Sequence, residues 1–581
     1  MNLRIVRREL FAQESDSLSG DLHPVLRRIY LSRGLRTSGD LDLSLERMLP
    51  VSTLEGLPAA VDLLLQHRTG RIIVVGDFDA DGATSTALMV RALTAWGFAS
   101  VDFFVPNRFK FGYGLTPEVV ELVANREATL IVTVDNGISS VAGVAHARAQ
   151  GIDVLVTDHH LVGVELPQAN VIVNPNLPGS AFGSRSLAGV GVAFYVMAAL
   201  QRRLDTEKLL PPGAPSVAEF LDLVALGTIA DVVPLDSNNR VLIAQGLKRI
   251  RAHRCVAGIR TLLFQSGRQT NDLTAADLAF GIAPRLNAAG RMDDMTIGIR
   301  CLLCDDLTTA QMLAARLDLL NLERRATEAR MQTEALDAVS RLSETGPRFI
   351  HRSGVCLYDK SWHQGVIGLV ASRVKERVRR PVIAFALASD DTLRGSARSV
   401  AGIHIRDVLD AIATREPDLV SKFGGHAMAA GLTLDLMKLD RFAKAFDEEV
   451  GRWTERGSLA DVIETDGELS VQEIALDTAQ ALRDGGPWGQ AFPEPSFDGV
   501  FEIRSARVVG DRHLKMWVDV PRTGRSFDAI AFNHIEERKS FVPPGGAAQL
   551  VYRLDINEYQ GERRLQLLVD HVLPQQVATL L

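Results

Sequence analysis

From Arg71 onward the chain alternates short apolar, β-branched runs with longer stretches whose apolar residues recur every three or four positions. Strands are predicted near Arg71–Gly76, Val101–Pro106, Thr129–Val134, Val154–Thr157 and Val171–Asn174, and helices near Ala83–Trp96, Pro117–Arg126 and Ser139–Gln150. Continuous apolar runs of this length suit strands buried on both faces, and their alternation with helices is the pattern of a doubly wound parallel sheet. Thr116 ahead of Pro117 and Glu118 supplies an N-cap with proline in the first turn. This α/β unit spans 69–235. Residues 1–68 before it read as a helical segment, with amphipathic spacing over Asp21–Ser32 and Leu54–His67.

Residues 236–346 keep the helical period apart from a turn expected over Arg285–Arg291, where two guanidinium groups flank Asn, Ala and Gly and suit phosphate oxygens, and Thr308–Leu342 forms one long run that joins two lobes. A second α/β lobe is predicted over 347–455, with strands near Gly354–Tyr358 and Val382–Ala386 around a helix near Gln364–Arg377. Gly395–Ser399 and Gly424–Gly431 read as glycine-rich turns. Over 456–581 the pattern becomes short β runs (Phe501–Val509, His513–Val518, Phe527–Phe532, Gln549–Leu554, Arg564–Val569), the signature of an OB-like barrel of about five strands. Trp488, Phe492 and Phe497 read first as packing residues and second as base-stacking candidates.

At 581 residues the chain has room for three or four domains. Its net charge, 64 − 71 = −7, excludes a uniformly basic coat but not a local basic groove such as the arginine-rich stretch Arg373–Arg380. Four cysteines are too few for a disulfide framework, and Cys301 and Cys304 lack the partners a zinc site needs. No apolar run approaches membrane-spanning length, so a cytoplasmic protein is expected.

The candidate chemistry lies where apolar runs end. Arg71–Gly76 runs into Asp77, Asp79 and Asp81; Thr129–Val134 into Asp135; Val154–Thr157 into Asp158, His159 and His160; and Leu226–Ala230 into Asp231. Read as the carboxyl ends of successive strands, the run before Asp231 included, these positions converge on one edge, where ligands bind in an open α/β sheet. Clustered carboxylates repel one another unless a cation is shared, and oxygen donors with an imidazole suit Mg²⁺ or Mn²⁺. Asp77–Gly82 also begins like a calcium loop, but without the preceding helix or the closing glutamate. The whole set suffices for two divalent ions bridged by one aspartate.

These residues resemble the motifs of the DHH phosphoesterase superfamily: Gly76-Asp77-Phe78-Asp79-Ala80-Asp81-Gly82, Val134-Asp135-Asn136-Gly137, Asp158-His159-His160 and Asp231. Val105–Phe109, Pro284–Met292, Trp362–Gly368 and Gly424–Gly431 are similar to the RecJ-type exonuclease family within it. The resemblance implies a 5′-to-3′ exonuclease on single-stranded DNA, working with Mn²⁺ or Mg²⁺ in recombination and repair. It implies one ion held by Asp77, Asp79 and Asp135 and a second by Asp81, Asp135, His159 and Asp231, with Asp79, Asp81, Asp135, His159 and His160 as the catalytic group. Which histidine meets the metal and which the phosphate is open at this level. Strand binding falls to Asn107, Arg108, Arg285, Asn287, Arg291, Arg394, Ser396, Arg398 and His426. The family further implies a single-strand-binding protein and a RecQ-type helicase as partners; a monomer with no membrane contact is expected. Two other readings stand beside it: a DHH phosphodiesterase acting on short oligonucleotides or cyclic dinucleotides, disfavoured by the third domain, and a non-catalytic scaffold, disfavoured by the intact aspartates.

Overall fold

The computed structural model describes all residues except 1–3, 10–17, 19, 164, 345–352, 390, 421, 456–461, 511, 535–545, 560–561 and 575–581. Strand β1 (Arg4–Arg7) and helices α1 (Pro24–Ser32) and α2 (Leu57–Gln66) precede the first sheet. That sheet holds β2 (Arg71–Gly76), β3 (Ser100–Phe104), β4 (Leu130–Val134), β5 (Asp153–Thr157) and β6 (Val171–Val173), all parallel, in the order β3-β2-β4-β5-β6. The crossovers are α3 (Ala80–Ala95), α4 (Pro117–Ala124) and α5 (Val141–Ala149). Ile72 to Val75 are fully buried, as a strand covered on both faces requires. The strand order reverses between β2 and β4, so a crevice opens beyond their carboxyl ends. The expected doubly wound sheet is present.

A helical region follows: α6 (Gly189–Thr206), α7 (Leu221–Ala230), α8 (Ser237–Arg251), α9 (Ala257–Gln265), α10 (Ala275–Asp277), a π-helical turn over Leu278–Ile282, α11 (Ala283–Met292), α12 (Thr296–Leu303) and α13 (Leu307–Glu344). Two expectations are corrected here. The apolar run before Asp231 is helix α7, not a strand; it is buried all round, which erases the period that tells helix from strand. The Arg285–Arg291 segment is likewise helix α11 rather than a turn, because Asn287 and Gly290 are spent on contacts inside the helical frame described below.

The second lobe contains β7 (Val355–Tyr358), α14 (Ile367–Val378), β8 (Val382–Ser389), β9 (Thr392–Arg398), α15 (Ile405–Arg415), β10 (Lys422–Gly425), β11 (Ala429–Asp435) and α16 (Leu439–Glu455). Its sheet runs β10-β11-β9-β8-β7, antiparallel except for β7 with β8. The two glycine-rich stretches expected as turns thus lie mostly in strands; only His426 to Met428 turn the β10–β11 hairpin. Small residues are needed there because a side chain at Gly395 would press on Phe385 and Leu432.

Strand β12 (Val462–Thr465) pairs in parallel with β1, and α17 (Leu476–Asp484) packs on α1. The last strands, β13 (Phe497–Val509), β14 (His513–Asp519), β15 (Ser526–Ala531), β16 (Ala547–Tyr559) and β17 (Glu562–Pro574), close into a barrel in the order β13-β14-β15-β17-β16. Trp488, Phe492 and Phe497 all take part in packing. Phe497 is fully buried, Trp488 lies parallel to Phe492 at 5.0 Å, the Arg33 guanidinium lies 5.5 Å from the Trp488 ring and 6.0 Å from the Phe492 ring, and that of Arg240 lies 4.1 Å from the Phe492 ring.

Candidate functional site

Asp77 leaves the end of β2 and Asp79 N-caps α3, its Oδ1 accepting the Gly82 N–H at 3.0 Å. Asp81 lies in the first turn of α3 and is fixed from outside: the Gly189 and Val190 amides at the N-terminus of α6 donate to its two oxygens at 2.6 and 2.9 Å. Asp135 follows β4 at a left-handed φ of 60°, a conformation that side chains other than glycine resist. Its neighbour Asn136 holds it there, donating from Nδ2 to the Val75 and Val134 carbonyls at 3.0 and 2.8 Å. Gly189 makes room for it, since a Cβ there would come within 2.6 Å of the Asp135 Cβ.

His159 and His160 follow β5, and their rings point to different partners. His159 Nε2 lies 3.1 Å from Asp135 Oδ1, 3.5 Å from Asp231 Oδ2 and 4.0 Å from Asp81 Oδ2. His160 Nδ1 lies 2.8 Å from Asp158 Oδ1 and 3.2 Å from the Tyr113 hydroxyl. Asp158 is buried and also accepts the His159, His160 and Ile138 amides. Burial lowers the His159 pKa to about 4, with the His160 charge adding to the effect. Burial opposes charge on His160 too, but the Asp158 hydrogen bond and the nearby carboxylates raise it to about 9.

Donor atoms gather into the groups Asp77–Asp79–Asp135, Asp81–His159–Asp231 and Asp135–His159–His160, each within 4.8 Å. Burial, then mutual repulsion, holds Asp77, Asp135 and Asp231 well above the usual carboxylate range and pushes Asp81 up to about 7. Asp77 Oδ1, Asp135 Oδ1, His159 Nε2 and Asp231 Oδ2 are buried and hydrogen-bond to no described group. Inward-facing oxygens and one neutral imidazole nitrogen are the donor set of divalent Mn²⁺ or Mg²⁺ sites.

The expected strand-binding residues divide into two sets. Arg108 and Arg291 lie beside the acidic cluster, and Arg398 with Ser396 lies near Arg291. Arg108 stacks over Phe78 at 4.4 Å and is held electrostatically by Asp77 and Asp79. Burial, then Arg108 and Arg324, lowers Arg291 to about 10, and Arg398 is lowered by burial. Arg398 Nη1 reaches Ser396 Oγ at 3.0 Å. His426, exposed on the β10–β11 turn, feels the His160 charge from the second lobe.

The other set ties elements together. Arg285 pairs with Asp318 of α13 at 2.8 Å, Asn287 Oδ1 accepts the Ala80 N–H at 2.8 Å, and Asn107 Oδ1 accepts the Phe109 and Lys110 amides. Arg394 donates to the Arg108 carbonyl at 3.1 Å, a contact between lobes. Three residues escaped the sequence reading. Tyr113 braces His160 and donates to the Asp135 carbonyl at 3.1 Å, Asn136 locks the Asp135 turn, and His363 packs edge-on against Phe109 across the cleft. The Phe111-Gly-Tyr-Gly114 run was the signal available for Tyr113.

Residues 71–228 match the DHH family N-terminal domain, 351–452 the DHHA1 domain and 465–571 the RecJ OB domain. The chain is 52% identical to the single-stranded-DNA-specific exonuclease RecJ of Salmonella typhimurium, covering 98% of each chain. It is 51% identical to the protein of that name from Escherichia coli, over 98% of this chain and 99% of the other. The crystal structure of RecJ from Thermus thermophilus in complex with Mn²⁺ superposes with a TM-score of 0.79 at 31% identity, covering 99% of this chain and 80% of that one. The corresponding Mg²⁺ complex gives 0.74 at 29% identity, covering 99% and 78%.

Proposed function

The chain belongs to the RecJ family, and from that premise we propose how its residues divide the work of a single-stranded-DNA-specific exonuclease that uses Mn²⁺ or Mg²⁺. Asp77, Asp79 and Asp135 hold one divalent ion, and Asp81, Asp135, His159 and Asp231 hold the other. The observation that carries this reading is the set of four buried donor atoms without a hydrogen bond among the described residues, on Asp77, Asp135, His159 and Asp231, in groups linked through Asp135 and His159. Two ions so bound supply an acidified water and positive charge against both oxygens of an in-line phosphoryl displacement.

The chain's own groups do the rest. His159, neutral, offers a lone pair, while His160, charged and braced by Asp158 and Tyr113, donates a hydrogen bond to a phosphate oxygen as negative charge develops there. Arg108, Arg291 and Arg398, with Ser396, receive the phosphate at the strand's 5′ end, because partly buried guanidinium groups near one another favour a shared anion. The second lobe, held at Arg394–Arg108 and His363–Phe109, confines the cleft to a single strand and sets 5′-to-3′ polarity.

Action in the cytoplasm, as a monomer, beside a single-strand-binding protein and a RecQ-type helicase completes the proposal; its support is the family resemblance. The deciding experiment is Asp135→Ala, assayed with Mn²⁺ on 5′-labelled single-stranded DNA, single-stranded RNA and duplex DNA. Cleavage of single-stranded DNA by the parent from the 5′ end, abolished in the variant with strand binding retained, is the expected result. Substantial turnover by the variant refutes the bridging role, and parent cleavage from 3′ ends refutes the cleft assignment.

A further inference from the structure

Helix α7 ends at Ala230 with Asp231 capping it in helical geometry, and the positions that follow leave the chain little choice of path. Pro234 keeps Val233 out of the helical region of backbone space. The Pro234 carbonyl accepts from Asn239 Nδ2 at 2.9 Å, and the amide of the buried Leu235 donates to the Gln490 carbonyl at 2.7 Å. With the helix and the exit both fixed, one residue absorbs the change of direction. That residue is Val232, at a left-handed φ of 61°.

Left-handed backbone just past a helix end is ordinarily glycine's place. Valine is among the residues least suited to it, since two branches at Cβ crowd the backbone. Among the described residues Val232 is the only β-branched one at positive φ. Packing does not offset the strain, because Val232 is 64% exposed. Its neighbour Asp231 is the most exposed of the four side chains assigned to the second ion, at 22% against 12% for His159, 2% for Asp135 and 0% for Asp81. Two amides of α6 fix Asp81, whereas Asp231 Oδ2 takes no hydrogen bond from a described group. The position of Asp231 is therefore set by the backbone on either side of it, and strained backbone of this kind clusters at functional sites.

We propose that Val232 is a positioning residue that moderates the hold of Asp231 on the second ion. The inference rests on the two-ion reading above and adds to it a residue, outside the ligand set, that adjusts metal affinity. The left-handed turn presents Asp231 to Asp81, Asp135 and His159, and valine holds that turn less readily than glycine or asparagine would. Affinity is then reduced by the fraction of molecules that hold the turn. A moderated hold suits a nuclease whose product must leave its metals after every nucleotide removed.

The test is Mn²⁺ calorimetry on the full chain without DNA, across Val232→Gly, Val232→Asn and Val232→Ile. The weaker of two Mn²⁺ affinities is expected to tighten by roughly 10-fold in Val232→Gly, within the range for a residue released from a strained conformation. Val232→Asn should tighten it by less and Val232→Ile not at all, the order of their tolerance for left-handed backbone. The gain should vanish when Val232→Gly is combined with Asp231→Ala, and binding of a single strand in EDTA should be the same throughout the series. Affinities that ignore the identity of residue 232, or a gain that survives Asp231→Ala, would overturn the proposal. So would a Val232→Gly variant with lower strand affinity in EDTA and parental Mn²⁺ affinity, which would make Val232 a strand contact. Parental Mn²⁺ affinities in Asp231→Ala alone would refute the ligand assignment itself and the proposal with it, so the two failures are distinguishable.

Discussion

His159 and His160 are adjacent in sequence yet chemically distinct: burial lowers His159, while the Asp158 hydrogen bond and nearby carboxylates outweigh burial at His160. In the metal-free protein, histidine-ring NMR should show His160 titrating near pH 9 and His159 remaining neutral down to about pH 4. Because the folded His160 pKa lies above the unfolded value of about 6.5, its stabilising contribution is full below that pH and lost as pH rises through about 9. The denaturation midpoint of the metal-free parent should therefore fall between about pH 7 and 9, and Asp158→Asn should flatten that fall while dropping the His160 titration. A pH-independent midpoint in the parent would remove His160 from the account. The pair was legible in sequence as a motif, but its division of labour was not. It depends on Asp158 and Tyr113 approaching from the strand end and a distant loop, and no spacing rule encodes that approach.

Among the elements, α6 acts at a distance of more than fifty residues from Asp135: its first amides orient Asp81, and Gly189 admits the Asp135 side chain. Gly189→Ala should cost on the order of 100-fold or more in kcat, the penalty for displacing a catalytic group by about 1 Å. Mn²⁺ binding by calorimetry should weaken in parallel, while the far-UV circular dichroism stays that of the parent; an active variant with parental Mn²⁺ affinity would show that Asp135 tolerates the push. The parallel strands were readable because β2, β4 and β5 are short, apolar and bounded by turns. The elements misread were those whose local pattern is overridden: α7, buried on every side, and α11, where asparagine and glycine suit a turn but serve close contacts in a helix. At Gly290 any side chain would overlap the Phe78 carbonyl. Strand β9 hid for a similar reason, its glycine chosen by Phe385 rather than by a bend.

At the scale of the whole molecule the first and last parts of the chain are fastened together. β1 pairs with β12, Arg7 with Asp498 at 2.7 Å, and the buried Arg33 with the buried Asp466 at 2.7 Å. Arg33→Ala leaves Asp466, among the described residues, with only the partly exposed Arg8 as a charged partner, so roughly 3 kcal/mol should be lost, within the range for breaking buried pairs. Hydrogen exchange should localise the loss to β1, β12 and α17, with the parallel sheet unaffected; uniform exchange across the molecule would mean the fastening is not a separate unit. The opposite case is α11. Its ten residues hold the Asp77–Asp81 loop through Asn287, α13 through Arg285 and the cleft through Arg291, and the Arg291 carbonyl abuts Gly365 of the second lobe. Metal affinity and strand affinity are then linked quantities. Whatever factor a bound strand adds to the hold on the metals, bound metals must add the same factor to the hold on the strand.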